Sequence, residues 1–221
     1  MAMRKATIAL LLSALTAPVS LGADAGRLKN AAAVLNEMAG AGDKGIPTSL
    51  ITKSQCIVII PGVKKGALGI GGQYGRGYIS CRTADRKGWS APGGIRVEGG
   101  SVGLQIGGSD TDLILLVMPG RGPERLLSNQ FTVGADAAVA AGPVGRQTTA
   151  QMDATMKAEM LSWSRSSGVF AGISLQGSTL RDDGGENKEL YGKEMPNKEI
   201  VAGKVTPPKD AAALMSALAK Y

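Results

Sequence analysis

Residues 66–118 read GALGIGGQYGRGYISCRTADRKGWSAPGGIRVEGGSVGLQIGGSDTDLILLVM. Glycine is dense here, yet the apolar residues keep a period of two. Val102, Leu104 and Ile106 alternate with Ser101, Gly103, Gln105 and Gly107. That alternation buries one face of a strand and leaves the other small or wet. Residues 113–118 form a continuous apolar run, the pattern of a strand buried on both faces. The stretch therefore predicts several antiparallel strands joined by tight turns. Glycine inside a strand costs stability, so its abundance is expected to mark bends, bulges or close backbone approach.

Working outward, residues 56–60 (CIVII) are β-branched and apolar, a strand that Pro61-Gly62 is expected to end. Residues 27–38 place Leu28, Ala31, Ala32, Leu35 and Met38 on one face of a 3.6-residue period, which predicts a short amphipathic helix. Read alone, its alanine-rich stripe suits packing on a core better than lying on a membrane. Leu50 and Ile51 are expected to be buried. Downstream, residues 123–129 can make a short helix with Leu126 and Leu127 inside. Residues 134–145 lean to strand because Gly and Pro bracket them, and residues 156–163 fit either helix or strand. Residues 162–167 look like a polar turn, 169–175 a strand, and 183–191 a short helix. Thr206-Pro207-Pro208 is expected to open a last helix with Thr206 as N-cap. These elements predict one α+β domain: an antiparallel, strongly bent or barrel-like sheet with helices at both chain ends.

The chain has 221 residues, 32 of them glycine, with no Gly-X-Y period, so it is long enough for a core and is not collagenous. It has no histidine, which removes the commonest general base and zinc ligand. Residues 99–103 (GGSVG) match the hydrolase elbow G-x-S-x-G. Ser101, however, lies inside an alternating strand pattern, and the triad has no base, so no enzyme is expected. No phosphate-binding glycine loop is present. Asp110 and Asp112 read as turn caps or a weak cation site, and Asp182, Asp183 and Glu186 lack calcium-loop spacing. All five read as solvated turn residues. No metal or cofactor is expected.

The formal net charge is +7. Between residues 64 and 96, Lys64, Lys65, Arg76, Arg82, Arg86, Lys87 and Arg96 face the single acid Asp85, so the net charge is concentrated in the glycine-rich region. Two readings stand: a solvated edge blocked by cations, or a face for anionic partners. Tyr74, Tyr78 and Trp89 interleave with these charges, as interfacial anchors or as core. Low aromatic content argues against nucleic acid.

Residues 1–25 combine Arg4 and Lys5, an apolar run over 6–17 and Ala23-Asp24-Ala25. This is the pattern of a secretory signal peptide cut after Ala25, leaving 26–221 as one domain, periplasmic or secreted. Export permits disulfides, so a Cys56–Cys81 bridge is favoured over two buried thiols, and spacing alone leaves both open.

Four motifs, GQYGRGYISCR (72–82), GWSAPGGIRVEGGSVGLQIGGSDTDLILLVM (88–118), GADAAVAAGPVGR (134–146) and SRSSGVFAGISLQGSTLR (164–181), closely resemble the SYLF domain family. This is a lipid-binding domain, also called an actin-binding domain in yeast actin-patch proteins. The likeness runs from about Arg27 to the C-terminal helix. It implies a non-enzymatic domain that binds phosphoinositides and other anionic phospholipids at a membrane surface. It also implies a membrane role for the first helix at Arg27, Leu28, Lys29 and Leu35. A stand-alone exported bacterial member is the expectation, with actin a partner only by family analogy. The binding set expected is Lys64, Lys65, Arg76, Arg82, Arg86 and Lys87 for charge, Tyr74 and Trp89 as anchors, and Arg27 and Lys29 from the helix. The other class of function is an envelope protein-interaction module working through a sheet edge.

Overall fold

The computed structural model describes residues 21–68, 70–102, 107–128, 130–136, 139–143, 158–170, 175 and 177–221. Four long strands come from the glycine-rich stretch and its upstream neighbour: β1 (Cys56–Leu68), β2 (Ile70–Cys81), β3 (Gly93–Val102) and β4 (Gly107–Val117). Shorter strands follow: β5 (Phe131–Thr132), β6 (Val139–Ala141), β7 (Met160–Ser166), β8 (Val169–Phe170) and β9 (Thr179–Asp182). They form one curled, half-barrel sheet in the order β5-β9-β3-β2-β1-β4-β7-β6, with β8 paired to β7. Among the described residues every strand pairing is antiparallel except β6 with β7. The longer helices among the described residues are α1 (Leu21–Ala39), α2 (Thr48–Lys53), α3 (Gly122–Leu126), α4 (Gly184–Tyr191) and α5 (Ala212–Leu218). An α+β fold with a bent sheet and helices at both ends is what the sequence pattern predicts.

The centre of the sheet is buried on both faces. On one, Ile57, Ile59, Tyr78, Ile114, Leu116, Leu161 and Trp163 pack against Leu28, Leu35 and Met38 of α1 and Leu214 and Leu218 of α5. On the other, Val58, Ile60, Val63, Ile79, Ile95, Val97, Leu113, Leu115 and Val117 close over Phe131, Leu180 and Val201. The two faces follow the strand period of two. They explain why residues 56–60 and 113–118 are unbroken apolar runs.

Pro61-Gly62 does not end β1. The strand continues to Leu68 through a bulge, where its register with both neighbours shifts between Ile59 or Ile60 and Val63 or Lys64. Gly62 takes φ 58°, which a side chain would disfavour, and its N–H donates to Asp112 Oδ1 at 3.1 Å. Opposite the bulge, a Cβ on Gly77 would stand 2.0 Å from the Ile59 carbonyl oxygen. Glycine there permits the backbone contact that a bulged, strongly coiled strand needs.

Other boundaries move for local reasons. Residues 162–166, expected as a polar turn, lie in β7. Ser164 is buried on the opposite face of the sheet from Trp163, and the turn falls at Ser167 and Gly168, both at positive φ. The last helix starts at Ala212 behind a 3-10 turn, Lys209–Ala211, with no side-chain cap from Thr206. The described part of α1 includes Leu21–Ala25, upstream of the expected cut after Ala25. Residues 1–20 and Leu104 and Ile106, with most of their flanking alternation, lie outside the described residues. Cys56 and Cys81 are register partners in β1 and β2, and their sulfurs are bonded at 2.07 Å. Among the described residues no helix is long and apolar enough to cross a membrane.

Candidate functional site

Register partners in an antiparallel sheet carry their side chains on the same face, about 4.5–5.5 Å apart. Two rows on the helix-packed face are thereby fixed. The first joins Arg76 of β2, Arg96 of β3 and Arg181 of β9. The second, two residues along, joins Asp110 of β4, Lys64 of β1, Tyr74 of β2, Glu98 of β3 and Thr179 of β9. Helix α1 covers the apolar centre of this face. Lys64 is exposed, and Tyr74 is 48% exposed, one of two large apolar side chains so exposed among the described residues. The arginines of the first row retain 30–40% side-chain exposure.

The border between this open surface and the core is a buried polar node. Asp183 caps α4 by accepting from the Glu186 N–H at 3.2 Å. Glu186 is 1% exposed and accepts from Arg27 of α1 and the Tyr78 hydroxyl, and Arg76 Nη2 lies 3.3 Å from it. Arg76 Nε donates to Asp183 at 2.5 Å. Asn187 extends the node: it accepts from the Gly94 N–H at 2.6 Å and donates to Asn197 Oδ1 at 2.9 Å. Burial pushes the Asp183 carboxyl up. The Arg76 hydrogen bond, the Glu186 N–H and the charges of Arg76 and Arg96 outweigh it and hold the group below the usual carboxylate range. Burial and the Glu186 hydrogen bond push the Tyr78 hydroxyl well up, keeping it a neutral donor. Asp183 and Glu186, expected from the sequence as solvated turn residues, are both buried. Their partners lie more than 100 positions away, and no local spacing announces them.

The expected binding residues do not converge on one patch. Lys64 and Tyr74 are neighbours on the open face, with Arg76 beside them but tied to the node. Lys65 faces the opposite side of the sheet, paired with buried Gln73, and partial burial lowers its ammonium pKa. Arg86 and Lys87 are exposed in the turn after β2, where Arg86 Nη1 donates to Gln55 Oε1 at 2.8 Å. Lys64 is eight residues along β1 from Cys56, so this turn sits about 25 Å from it at ~3.3 Å per residue. Arg82 is 7% exposed. Its guanidinium stacks 4.0 Å from the ring centroid of buried Trp89 and reaches the carbonyls of Ile51, Thr52 and Tyr221. Arg82 and Trp89 thus pin α2 and the C-terminus to the sheet. On α1, Arg27 pairs with Glu186, Leu28 and Leu35 are fully buried, and Lys29 is exposed. The apolar stripe of α1 therefore faces the core.

Arg96, one of the cations of the basic stretch, and Arg181 complete the row with Arg76, and neither belongs to the binding set expected from the sequence. The signal available was an arginine at an outward position of each of two alternating segments, IRVE and TLRD. Only the pairing of β3 with β9, some 85 positions apart, brings them together. Asp110 and Asp112 belong to β4, not a turn, and Asp112 pairs with Arg165 at 2.9 Å.

Comparison with known proteins bears on this arrangement. A family model described as "Ysc84: Las17-binding protein actin regulator" matches residues 98–221. The SH3 domain-containing protein PJ696.02 of Schizosaccharomyces pombe is 34% identical over 169 residues, covering 75% of this chain and 39% of that protein. The SH3 domain-containing YSC84-like protein 1 of Bos taurus is 31% identical over 180 residues, covering 81% of this chain and 52% of the relative. LAS seventeen-binding protein 3 of Saccharomyces cerevisiae is 31% identical over 176 residues, covering 78% and 38%. The chain spans about half or less of the length of these relatives, of which the Saccharomyces cerevisiae one is named as a binding protein. With the family model matching more than half of the chain, and the bent-sheet fold its motifs imply, the chain belongs to the Ysc84, or SYLF, family.

Proposed function

We propose that this domain is a non-enzymatic binder of anionic phospholipid head groups, docking peripherally on a membrane through the open helix-side face of its sheet. The observation that carries the reading is Lys64 beside Tyr74: an exposed ammonium and an exposed aromatic ring, register partners on adjacent strands. Tyrosine favours the level of lipid head groups, and a cation held at an anionic surface contributes about 1 kcal/mol. Lys29, exposed on α1, adds charge without undocking the apolar stripe of the helix. Supporting an exported, periplasmic or secreted location are the charged and apolar pattern of residues 1–25 and the Cys56–Cys81 bridge, which suits an oxidising compartment.

The test is co-sedimentation of the chain with neutral vesicles and with vesicles rich in phosphatidylglycerol and cardiolipin, at low and high salt. Binding is expected to the anionic vesicles alone and to weaken steeply as ionic strength passes ~0.15 M, where the screening length is about 8 Å. The Lys64→Glu/Tyr74→Ala variant is expected to lose at least tenfold in binding with an unchanged urea midpoint. Arg76 is left intact, because a carboxylate there would face Asp183 and Glu186. Full binding by the variant would remove this face from the reading. The family's description, Las17-binding protein actin regulator, and the name of the yeast relative, LAS seventeen-binding protein 3, favour a protein partner as the second reading. Absence of binding to every vesicle would move the assignment there.

A further inference from the structure

Between Ile60 and Lys64, β1 carries one residue more than its neighbours. Ile60 to Val63 on β1 spans the same length as Leu113 to Thr111 on β4, and Ile59 to Lys64 the same length as Tyr78 to Tyr74 on β2. One extra residue exchanges the two faces for everything that follows, because side chains alternate with a period of two. Without it, the register of Ile59 with Tyr78 would run on to set Val63 opposite Tyr74 and Lys64 opposite Gln73, on the other face. With it, Val63 is buried in the core of that other face, Lys64 stands exposed beside Tyr74, and Lys65 takes the place opposite Gln73. The bulge thus decides which of two adjacent lysines the open face presents.

Contacts from three strands shape it. Gly62 holds φ 58°, and its N–H donates to Asp112 Oδ1 on β4 at 3.1 Å. The other oxygen of Asp112 lies 2.9 Å from Arg165 Nη2 on β7, and Arg165 Nη1 lies 2.5 Å from Glu37 Oε2 on α1. On β2, a Cβ on Gly75 would stand 2.8 Å from Ile60 Cγ2 and 3.0 Å from Val63 Cγ2. Glycine there leaves room for the two side chains that the bulge brings together on one face.

We propose that Asp112 is a positioning residue for the open face: by holding the Gly62 N–H it keeps the bulge, and so keeps Lys64 rather than Val63 beside Tyr74. Asp112 acts through the backbone of β1 and touches no ligand in this role. Arg165 extends the hold to the C-terminal half of α1, so the seat of that helix and the aim of Lys64 share one carboxylate. The inference concerns the aim of Lys64 and rests on the membrane reading for its vesicle arm alone.

The experiment compares the full chain with Asp112→Ala, which removes the acceptor, and Asp112→Asn, which keeps an oxygen for the Gly62 N–H and drops the charge. Nuclear Overhauser contacts of the Tyr74 ring report which side chain of β1 lies beside it. Amide exchange at Gly62 reports the bulge, and co-sedimentation with vesicles rich in phosphatidylglycerol and cardiolipin reports binding. In the unaltered chain the ring is expected to contact the Lys64 methylenes. In Asp112→Ala, exchange at Gly62 is expected to quicken about tenfold, the lower end for a hydrogen bond to a charged acceptor. Lys64 contacts should weaken about threefold in favour of Val63, and vesicle binding should fall about fivefold, the share of one cation at an anionic surface. Asp112→Asn is expected to return all three to within about twofold of the unaltered chain. A merely structural loss would lower the urea midpoint without exchanging one neighbour of Tyr74 for another.

That exchange of neighbours, with no vesicle binding by any of the three proteins, supports the inference and sinks the membrane reading. Vesicle binding and Lys64 contacts that both persist undiminished in Asp112→Ala overturn the inference and leave the membrane reading standing. A loss in Asp112→Ala that Asp112→Asn does not relieve also overturns it. If Asp112→Ala does not fold, the unaltered chain and Asp112→Asn decide. A protected Gly62 amide and a Tyr74 ring on Lys64 in both support the inference, and a freely exchanging amide or a ring on Val63 in the unaltered chain overturns it.

Discussion

Glu186→Ala is the substitution that most directly tests how this fold is held together. Glu186 is 1% exposed and joins α4 to α1 through Arg27 and to β2 through Tyr78 and Arg76. Truncation takes an acceptor from the Tyr78 hydroxyl, itself 1% exposed, at a cost of ~1–3 kcal/mol. It also breaks a buried ion pair, for which ~3–5 kcal/mol is typical. Arg27 and Arg76 retain 21% and 30% side-chain exposure and can partly rehydrate, and Arg76 keeps Asp183, so the ionic cost falls well below that range. The combined loss is set at about 3–4 kcal/mol. Glu186→Gln keeps an acceptor for Tyr78 and removes the charge, so about 1–2 kcal/mol is expected. Urea unfolding measures both, with an unchanged slope showing that the midpoint shift is a stability change. A loss below about 1 kcal/mol for Glu186→Ala would refute the claim that this carboxylate ties the three elements together. Equal losses for alanine and glutamine would refute the share assigned to Tyr78.

Asp183 gives the same node a pH dependence: its folded pKa is depressed, so its contribution is present above the unfolded value of ~3.9 and lost as pH falls through the folded value. Acid unfolding followed by circular dichroism is expected to begin below about pH 4, and Asp183→Asn should flatten that limb; an unchanged limb would exclude Asp183 as its source. Arg82→Ala is expected to cost ~2–4 kcal/mol, because the guanidinium is buried on Trp89 and reaches three carbonyls. If the variant instead kept its thermal midpoint and lost vesicle binding, Arg82 would be a ligand residue. Reducing Cys56–Cys81, 25 positions apart, is expected to lower stability by about 3.5 kcal/mol on loop-closure entropy, read from urea midpoints with and without reductant. Gly77→Ala drives a Cβ to within 2.0 Å of the Ile59 carbonyl oxygen and 2.7 Å of Ile60 Cα, so soluble folded yield should collapse. A folded Gly77→Ala protein of ordinary stability would contradict the close approach at the bulge.

Much of the sheet was legible because burial writes itself into local pattern. Residues 56–60 and 113–118 are buried on both faces, and a doubly buried strand leaves an unbroken apolar run. The helix at residues 27–38 was legible for the same reason, through its 3.6-residue stripe. The continuation of β1 through Pro61-Gly62 was not. Whether that pair ends a strand or bulges it depends on Asp112 and Gly77 lying opposite, and neither is local. Residues 162–166 misled for a related reason: serine marks a turn by composition, whereas Ser164 alternates with Trp163 and Arg165 inside β7.

The candidate site divides the same way. The sequence by itself determined that positive charge gathers between residues 64 and 96, that no histidine chemistry is available, and that the chain carries the family's motifs. Only the tertiary structure decided which cations are free. It spent Arg27 and Arg76 on buried carboxylates and Arg82 on Trp89 and the chain end. It turned Lys65 to the other face and left Lys64 beside Tyr74. It also brought Arg181 to Arg96, an adjacency that exists because β9 pairs with β3. The physical reason is that charge is a property of each residue and is therefore countable along the chain. Its solvation and its partners belong to the pairing of strands far apart in sequence, which a local pattern does not encode.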